Sequence, residues 1–286
     1  MFKALNAPAI GIKNLALPQL LSLAQATGFA GVDFDIREAH RFAEAHSSAA
    51  LRELFASHNQ RPGTWGLPVN GPQMEWNVDL AELHQLAKTA ASLGAYRCVT
   101  WVPSWHDSRS MAENRAYHIA QFRPVAQVLK DSGCSLGLEF LGPLSLQKGH
   151  AHPFIRRMED MLALAAEIGT GNVGLLLDGW HLWTSGGTLE DLAKIAATDI
   201  VHVHINDAPE GNKDELIDVV RCLPLETGRI DLAGFMRTLA KLGYDGPVVT
   251  EPFSARLNAL AAQNPEAAAK EVAGAMGKLW KMSGLA

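Results

Sequence analysis

Short apolar runs alternate along the chain with longer stretches in which apolar residues recur every three to four positions. Eight of the short runs read as strands: Ala7–Ile12, Gly31–Ile36, Gly63–Pro68, Arg97–Val102, Ser135–Leu141, Val173–Asp178, Ile200–Asn206 and Pro247–Glu251. The amphipathic stretches read as helices, among them Leu17–Thr27, Leu80–Leu93, Arg115–Ser132, Phe154–Ile168, Leu189–Ala196 and Leu232–Leu242, with an Ala-rich closing helix over Ala255–Ala286. Several of these helices end on a glycine that leads into the next strand, as at Thr27-Gly28, Leu93-Gly94, Ser132-Gly133 and Leu242-Gly243. Strand then helix, repeated about every 30 residues, predicts a parallel sheet with helices outside. Eight such units predict a closed (β/α)₈ barrel, an α/β fold, in one domain spanning residues 1–286. The alternative, an open doubly wound nucleotide-binding sheet, would carry a Gly-x-Gly-x-x-Gly turn after its first strand, and the chain has none there.

The rhythm breaks once, after the seventh strand. Residues Ala208–Arg229, APEGNKDELIDVVRCLPLETGR, are polar and irregular. A long loop at the C-terminal face of a barrel is expected to carry function, with a harmless insertion as the plain alternative. The formal net charge of -5, without a basic run, gives no footprint for nucleic acid. No run of about 18 apolar residues occurs, so no membrane span is expected. The N-terminal stretch, broken by Asn6, Lys13, Pro8 and Pro18, reads as strand and loop rather than a signal peptide. Cys98, Cys134 and Cys222 are scattered singly, which suits a reducing, cytoplasmic setting and argues against a disulfide framework or thiolate metal site.

Four late strands each place a metal-capable residue near their C-terminal end: Glu139 in LGLEFLG, Asp178 in GLLLDGWH, His204 in IVHVHIND and Glu251 in PVVTEPF. In a barrel these ends converge at the mouth. Side chains alternate along a strand, so parity tests the placement. With Glu139, Asp178 and His204 inward, Leu138, Phe140, Leu175, Leu177, Val203 and Ile205 face the helices, and His202 lies one layer below His204. Each residue also has an ordinary reading, a carboxylate as cap or salt-bridge partner and a histidine satisfied in the core. Three converging carboxylates about 4 Å apart would repel by about 4 kcal/mol per pair at an effective dielectric near 20. One divalent ion, Mn²⁺, Mg²⁺, Co²⁺ or Zn²⁺, removes that cost, and without a thiolate nothing selects zinc.

The motifs LEF at 138–140, LLLDGWH at 175–181, HVHIND at 202–207 and GYDGPVVTEPF at 243–253 resemble the xylose isomerase-like TIM barrel superfamily. GFAGVDFDIRE at 28–38 extends the likeness loosely into the N-terminal half. The superfamily holds sugar-phosphate isomerases and epimerases, hydroxypyruvate isomerase, inosose dehydratase and endonuclease IV. The resemblance implies Glu139, Asp178, His204 and Glu251 as metal ligands, and His181, three residues after Asp178, as a substrate contact. The chain departs from the ketohexose epimerases at Ser145, where they carry a Glu, and at Glu210, where they carry an Arg. It also lacks the late Asp-x-His pair of the nuclease, which its acidic charge balance disfavours as well.

The expected function is therefore a metal-dependent isomerase or epimerase of a small polyhydroxylated substrate, a sugar or sugar phosphate, working by proton transfer through a metal-stabilised enediolate. Glu139, Glu251 and His181 are its candidate catalytic groups. A dehydratase on the same scaffold is the nearest alternative, and a non-catalytic sugar-binding barrel the more distant one. Trp65, Trp101, Trp105, Trp180, Trp183 and Phe253 fall at or beyond strand ends, either as sugar-facing walls or as rim packing. Trp65, Trp105, His106, Asn206 and Arg229 are the candidate substrate-binding residues. Lys213, Arg221 and Arg229 read first as solvated loop charges and second as anchors for a phosphate or carboxylate. Asp207 is expected to hold a hydrogen bond behind the metal histidine. A homo-oligomer is left open.

Overall fold

A computed structural model describes residues 1–70, 75 and 77–285. The N-terminal third runs β1 (Phe2–Leu5), α1 (Leu17–Thr27), β2 (Gly31–Val32), α2 (Ile36–Ala45), α3 (Ser48–Ser57), β3 (Arg61–Pro62), β4 (Trp65–Gly66) and α4 (Leu80–Leu93). The middle runs β5 (Arg97–Val102), β6 (Trp105–His106), α5 (Met111–Asp131), β7 (Ser135–Phe140), β8 (His152–Pro153) and α6 (Met158–Ile168). Then come β9 (Val173–Asp178), α7 (Gly179–Thr184), α8 (Leu189–Leu192), β10 (Ile200–His204), α9 (Leu232–Leu242), β11 (Pro247–Val249), α10 (Ala255–Gln263) and α11 (Pro265–Met282).

Nine strands pair in the order β3-β2-β1-β11-β10-β9-β7-β5-β4, every pair parallel. The two ends of that order are consecutive in the chain. β3 pairs with β2 and β4 with β5, and only Gly63 and Thr64 separate them. They are two halves of one strand, interrupted where it changes neighbour, so the ring closes as an eight-stranded barrel. Glycine is required at the interruption, because a Cβ at residue 63 would collide with Asp33 Oδ1 and lie 2.7 Å from the Val32 carbonyl oxygen.

Parity follows the expected pattern. Leu138, Phe140, Leu175, Leu177, Val203 and Ile205 lie in the hydrophobic core, while Glu139, Leu176 and His204 line a cavity at the barrel mouth. Among the described residues no helix is long and apolar enough to cross a membrane. Cys98, Cys134 and Cys222 are free thiols.

Several boundaries differ from the sequence expectation. The first strand is Phe2–Leu5, not Ala7–Ile12, and Pro8–Ile10 forms a 3₁₀ turn. Pro8 has no N–H for a ladder, whereas Phe2 to Leu5 find partners on β11 and β2. The strand expected at Gly31–Ile36 stops at Val32, because Asp35 caps α2 by accepting from the Arg37 and Glu38 N–H groups. The chain fits α2 and α3 into this unit. α5 begins at Met111, where Ser110 and Glu113 form a capping box. The closing segment is two helices broken at Asn264 before Pro265, and Ala286 lies outside the described residues.

Candidate metal centre

Four strand ends bring Glu139, Asp178, His204 and Glu251 together, each offering a ligand atom within 4.8 Å of the others. His204 Nδ1 stands 3.5 Å from Glu139 Oε1, 3.5 Å from Glu251 Oε2 and 4.0 Å from Asp178 Oδ2. An ion with tetrahedral bonds of ~2.1 Å holds its ligand atoms about 3.4 Å apart, so the spacing fits a first-row divalent cation. Glu139 Oε1 and His204 Nδ1 are both buried and have no hydrogen-bond partner. Buried polar atoms are seldom left so, and here they face one another across the centre of the cluster. The donor set of one imidazole and three carboxylates therefore fits a divalent metal.

Electrostatics of the metal-free cluster point the same way. Burial, reinforced by the Glu251 and Asp178 charges, raises Glu139 well above the ordinary carboxylate range, against the pull of His204. Burial raises Asp178 too, with Arg221 and His204 opposing. Burial acts likewise on Glu251, but His204 and Arg221 outweigh it and its pKa falls. For His204, burial disfavours the imidazolium, yet the Glu251, Glu139 and Asp178 charges prevail and hold its pKa at about 9. The cluster is short of positive charge, and it takes up protons to make up the difference.

The strongest cation present is one that the sequence alone ranked as a solvated loop charge. Arg221 is 4% exposed. Its Nη1 donates to Asp178 Oδ2 at 2.8 Å and Glu251 Oε2 at 3.3 Å, and its Nη2 donates to Asp218 Oδ1 at 3.0 Å. Asp207 puts it there. The Asp207 carboxylate accepts from the N–H groups of Ala208, Thr227, Gly228 and Ile230, and its backbone pairs with Cys222 in an antiparallel bridge. One side chain thus folds the 208–229 loop back over the mouth. This replaces the expectation that Asp207 sits behind the metal histidine. Asp218 had no sequence signal of its own, since it is one of several acids in a polar loop.

Asn206, expected to touch substrate, instead braces the ligands from behind. Its amide nitrogen donates to Asp178 Oδ2 at 3.2 Å, and its carbonyl accepts from Glu251 N–H at 2.7 Å and Thr250 Oγ1 at 3.1 Å. His181 sits in α7, the short helix that Asp178 caps through Trp180 N–H. Its Nδ1 accepts from Gly142 N–H at 3.1 Å, and its Nε2 stands 3.7 Å from Glu139 Oε1. Burial and the Arg221 and His204 charges drive its pKa far below the usual value, so the ring is neutral. Arg221 Nη2 lies 3.2 Å from Nε2, so both ring nitrogens face N–H donors and the neutral ring packs between Gly142 and the guanidinium. A Cβ at Gly142 would collide with the His181 carbonyl oxygen, so glycine permits this approach.

Two cavities meet at Glu139 and Glu251. One, of about 740 Å³, opens toward Asp33, Asp35 and Thr100. The other, of about 420 Å³, is walled by Trp101, Trp105, Leu141, Leu146, Val219 and Phe253. Trp105 therefore does line the mouth, stacked on His150 with ring centroids 3.3 Å apart. Trp65, His106 and Arg229 are not brought to either cavity. Trp65 is buried in the core, with Nε1 donating to the Ala95 carbonyl at 2.9 Å, because its strand position points outward. His106 turns its Nδ1 to the N–H groups of Ser108 and Arg109 and so shapes a turn. Arg229 ties down the long loop by donating to the carbonyls of Pro209 and Gly211.

The xylose isomerase-like TIM barrel profile matches residues 21–279. A solved xylose isomerase domain protein from Alicyclobacillus acidocaldarius superposes with a TM-score of 0.81 at 29% identity, covering 99% of both chains. Inosose isomerase of Bacillus velezensis is 24% identical over 268 residues, 92% of each chain. The IOLI protein, solved with a binding zinc atom, superposes with a TM-score of 0.74 over 99% of this chain and 98% of its own, and at 20% identity that likeness speaks for the fold alone. With eight parallel strands closing a ring around a cluster of carboxylates and imidazole, and a profile match over most of its length, the chain belongs to the xylose isomerase-like TIM barrel family.

Proposed function

We propose that the protein is a divalent-metal-dependent isomerase or epimerase of a small polyhydroxylated carbonyl compound, taking a proton from the carbon next to the carbonyl and returning it either to the carbonyl carbon or to the opposite face of the same carbon. The observation that carries this reading is the pairing of Glu139 and Glu251, two carboxylates from different sides of the mouth that both face both cavities. Held by Glu139, Asp178, His204 and Glu251, the ion would polarise the substrate carbonyl and acidify the adjacent C–H.

The chain's own groups supply the rest. Glu139, which faces both cavities, would hold the ion through one carboxylate oxygen and keep the other to take or return a proton at the substrate carbon. Glu251, braced by Asn206 and Arg221, offers a second carboxylate from the other side. The His181 ring, with Nε2 3.2 Å from Arg221 Nη2 and 3.7 Å from Glu139 Oε1, is placed to hold both groups in position beside the substrate. Trp101, Trp105 and Phe253 offer apolar faces to the C–H side of a ring or chain. Similarity to an inosose isomerase along most of both chains supports this reaction class.

The test is proton exchange in D₂O. Inosose and free ketohexoses are incubated with protein loaded with Mg²⁺, Mn²⁺, Co²⁺ or Zn²⁺ and followed by NMR. Deuterium at the carbon beside the carbonyl, lost in Glu139→Gln and Glu251→Gln, is the expected result. An unsaturated product absorbing in the ultraviolet would make the protein a dehydratase. Unreduced exchange in both glutamine variants would remove the two carboxylates from the mechanism.

A further inference from the structure

The two cavities share an electrostatic character that bears on what enters them. The larger is faced by Asp33, Asp35, Glu38, Glu139 and Glu251, and the smaller by Asp218, Glu139 and Glu251. Among the described lining residues, each cavity has one strong cation. Arg37 in the larger is held by Glu82 through a two-pronged ion pair, at 2.6 and 2.9 Å. Arg221 in the smaller is shared among Asp178, Glu251 and Asp218. Both guanidinium groups are thus already committed to carboxylates. Around the cluster, Glu139, Asp178, Asp218 and Glu251 face one guanidinium, so a divalent ion still leaves about one negative charge uncompensated. Outside the ligand cluster, the other lining side chains carry no full positive charge: they are neutral polar groups, such as Thr100 and Asn6, or apolar and aromatic walls.

We infer that this site selects an electrically neutral polyhydroxylated ketone, a free ketose or a cyclic polyol ketone, and excludes phosphate esters and carboxylates. The inference rests on the proposed reading of the same site and narrows its substrate class. Hydroxyl groups donate to the carboxylates that crowd the walls, and the C–H faces stack on Trp101, Trp105 and Phe253. A phosphate group brings two charges of the same sign as its surroundings and meets a guanidinium only by taking it from a carboxylate already bonded to it.

The deciding experiment reads the sign of the cavity field without needing a substrate. Trp101 lines both cavities, and Trp105 lines the smaller. Their share of the fluorescence is isolated by difference, using Trp101→Phe and Trp105→Phe in Mg²⁺-loaded protein. That share should be quenched by neutral acrylamide and cationic caesium, and several-fold less by iodide at equal ionic strength. Val219→Arg, an exposed position on the wall of the smaller cavity, should raise iodide quenching several-fold, and Leu146→Lys repeats the test at a second wall position. Iodide quenching equal to or above that of caesium in the wild type overturns the inference. D-fructose 6-phosphate is also titrated against D-fructose by calorimetry. An ester that binds about tenfold more weakly than the free sugar, or does not bind, supports the inference; an ester binding as tightly or more tightly overturns it. A protein that excludes iodide yet exchanges no C–H proton keeps this inference and loses the isomerase reading. One that turns over a phosphorylated ketose keeps the reaction and loses the inference.

Discussion

Arg221 Nη1 lies 2.8 Å from Asp178 Oδ2, joining the end of β9 to a loop residue 43 positions further along the chain. The aspartate is fully buried and the arginine nearly so. Breaking a buried pair by removing one partner leaves the other as an uncompensated charge, at a cost of about 3 kcal/mol or more. Arg221→Met should therefore lower the melting temperature of the metal-free protein by several degrees. Saturating Mg²⁺ should recover more of that loss than it adds to the wild type, since an ion takes over the countercharge of Asp178 and Glu251. Equal melting temperatures for the two metal-free proteins would show that the pair contributes nothing.

Asn206 holds two candidate ligands at once, Asp178 through its nitrogen and the Glu251 backbone through its oxygen. Groups that orient metal ligands typically contribute 10- to 100-fold to affinity. Asn206→Leu should weaken ion binding by about that factor in a calorimetric titration, with the far-ultraviolet circular dichroism unchanged. Affinity within twofold of wild type would make the residue a spectator.

The pKa of His204, raised to about 9 in the metal-free protein, sets a pH dependence with a definite sign. A folded-state pKa above the unfolded value contributes stability that is fully present below the unfolded pKa of about 6.5 and is lost as pH rises through the folded one. Metal-free protein should thus lose melting temperature between pH 6.5 and about 9, and His204→Gln should flatten that stretch. Metal binding works in the opposite direction, because an imidazole must shed its proton to coordinate. Ion affinity should rise over the same interval, with proton release detected by titration in buffers of different ionisation enthalpy. PH-independent affinity from 6.5 to 9 contradicts the assignment of His204.

His181 Nε2 stands 3.7 Å from Glu139 Oε1 but takes no place among the four clustered ligand atoms. His181→Ala should keep the ion and lose turnover by about 10²-fold. Gly142→Ala, which drives a methyl into the His181 carbonyl, should do the same with the histidine still present. Loss of the ion in His181→Ala would make the residue a fifth ligand.

Much of this centre is legible in the chain because its information is local. Glu139, Asp178 and His204 each sit on a strand whose neighbours alternate with period two, and that alternation alone decides which side chain faces the barrel axis. Leu138 and Phe140 around Glu139, or Val203 and Ile205 around His204, declare the inward face by being apolar on the outward one, whereas in β9 the inward Leu176 is apolar too and Asp178 itself marks the face. The number of strands follows from the repeat, and the closure from the number.

What the tertiary structure alone decides lies in segments without a period. Arg221, Asp218 and Arg229 belong to one irregular loop with the same composition throughout, yet Arg221 is buried against Asp178 while Arg229 ties down backbone at the edge. The difference comes from Asp207, whose carboxylate gathers N–H groups from as far away as Ile230 and so folds the loop over the mouth. Trp65 and Trp105 both read as aromatic residues at a strand end, but one strand position points outward into the core and the other faces the cavity. The first strand is ambiguous in sequence for a similar reason: Ala7–Ile12 is as apolar as Phe2–Leu5, and only Phe2–Leu5 has β2 and β11 beside it. A periodic pattern reports which face of an element is buried, because each residue's own neighbours set it. A loop side chain, or the choice between two apolar runs, is set by hydrogen bonds and strand partners that form only once residues distant in sequence have come together.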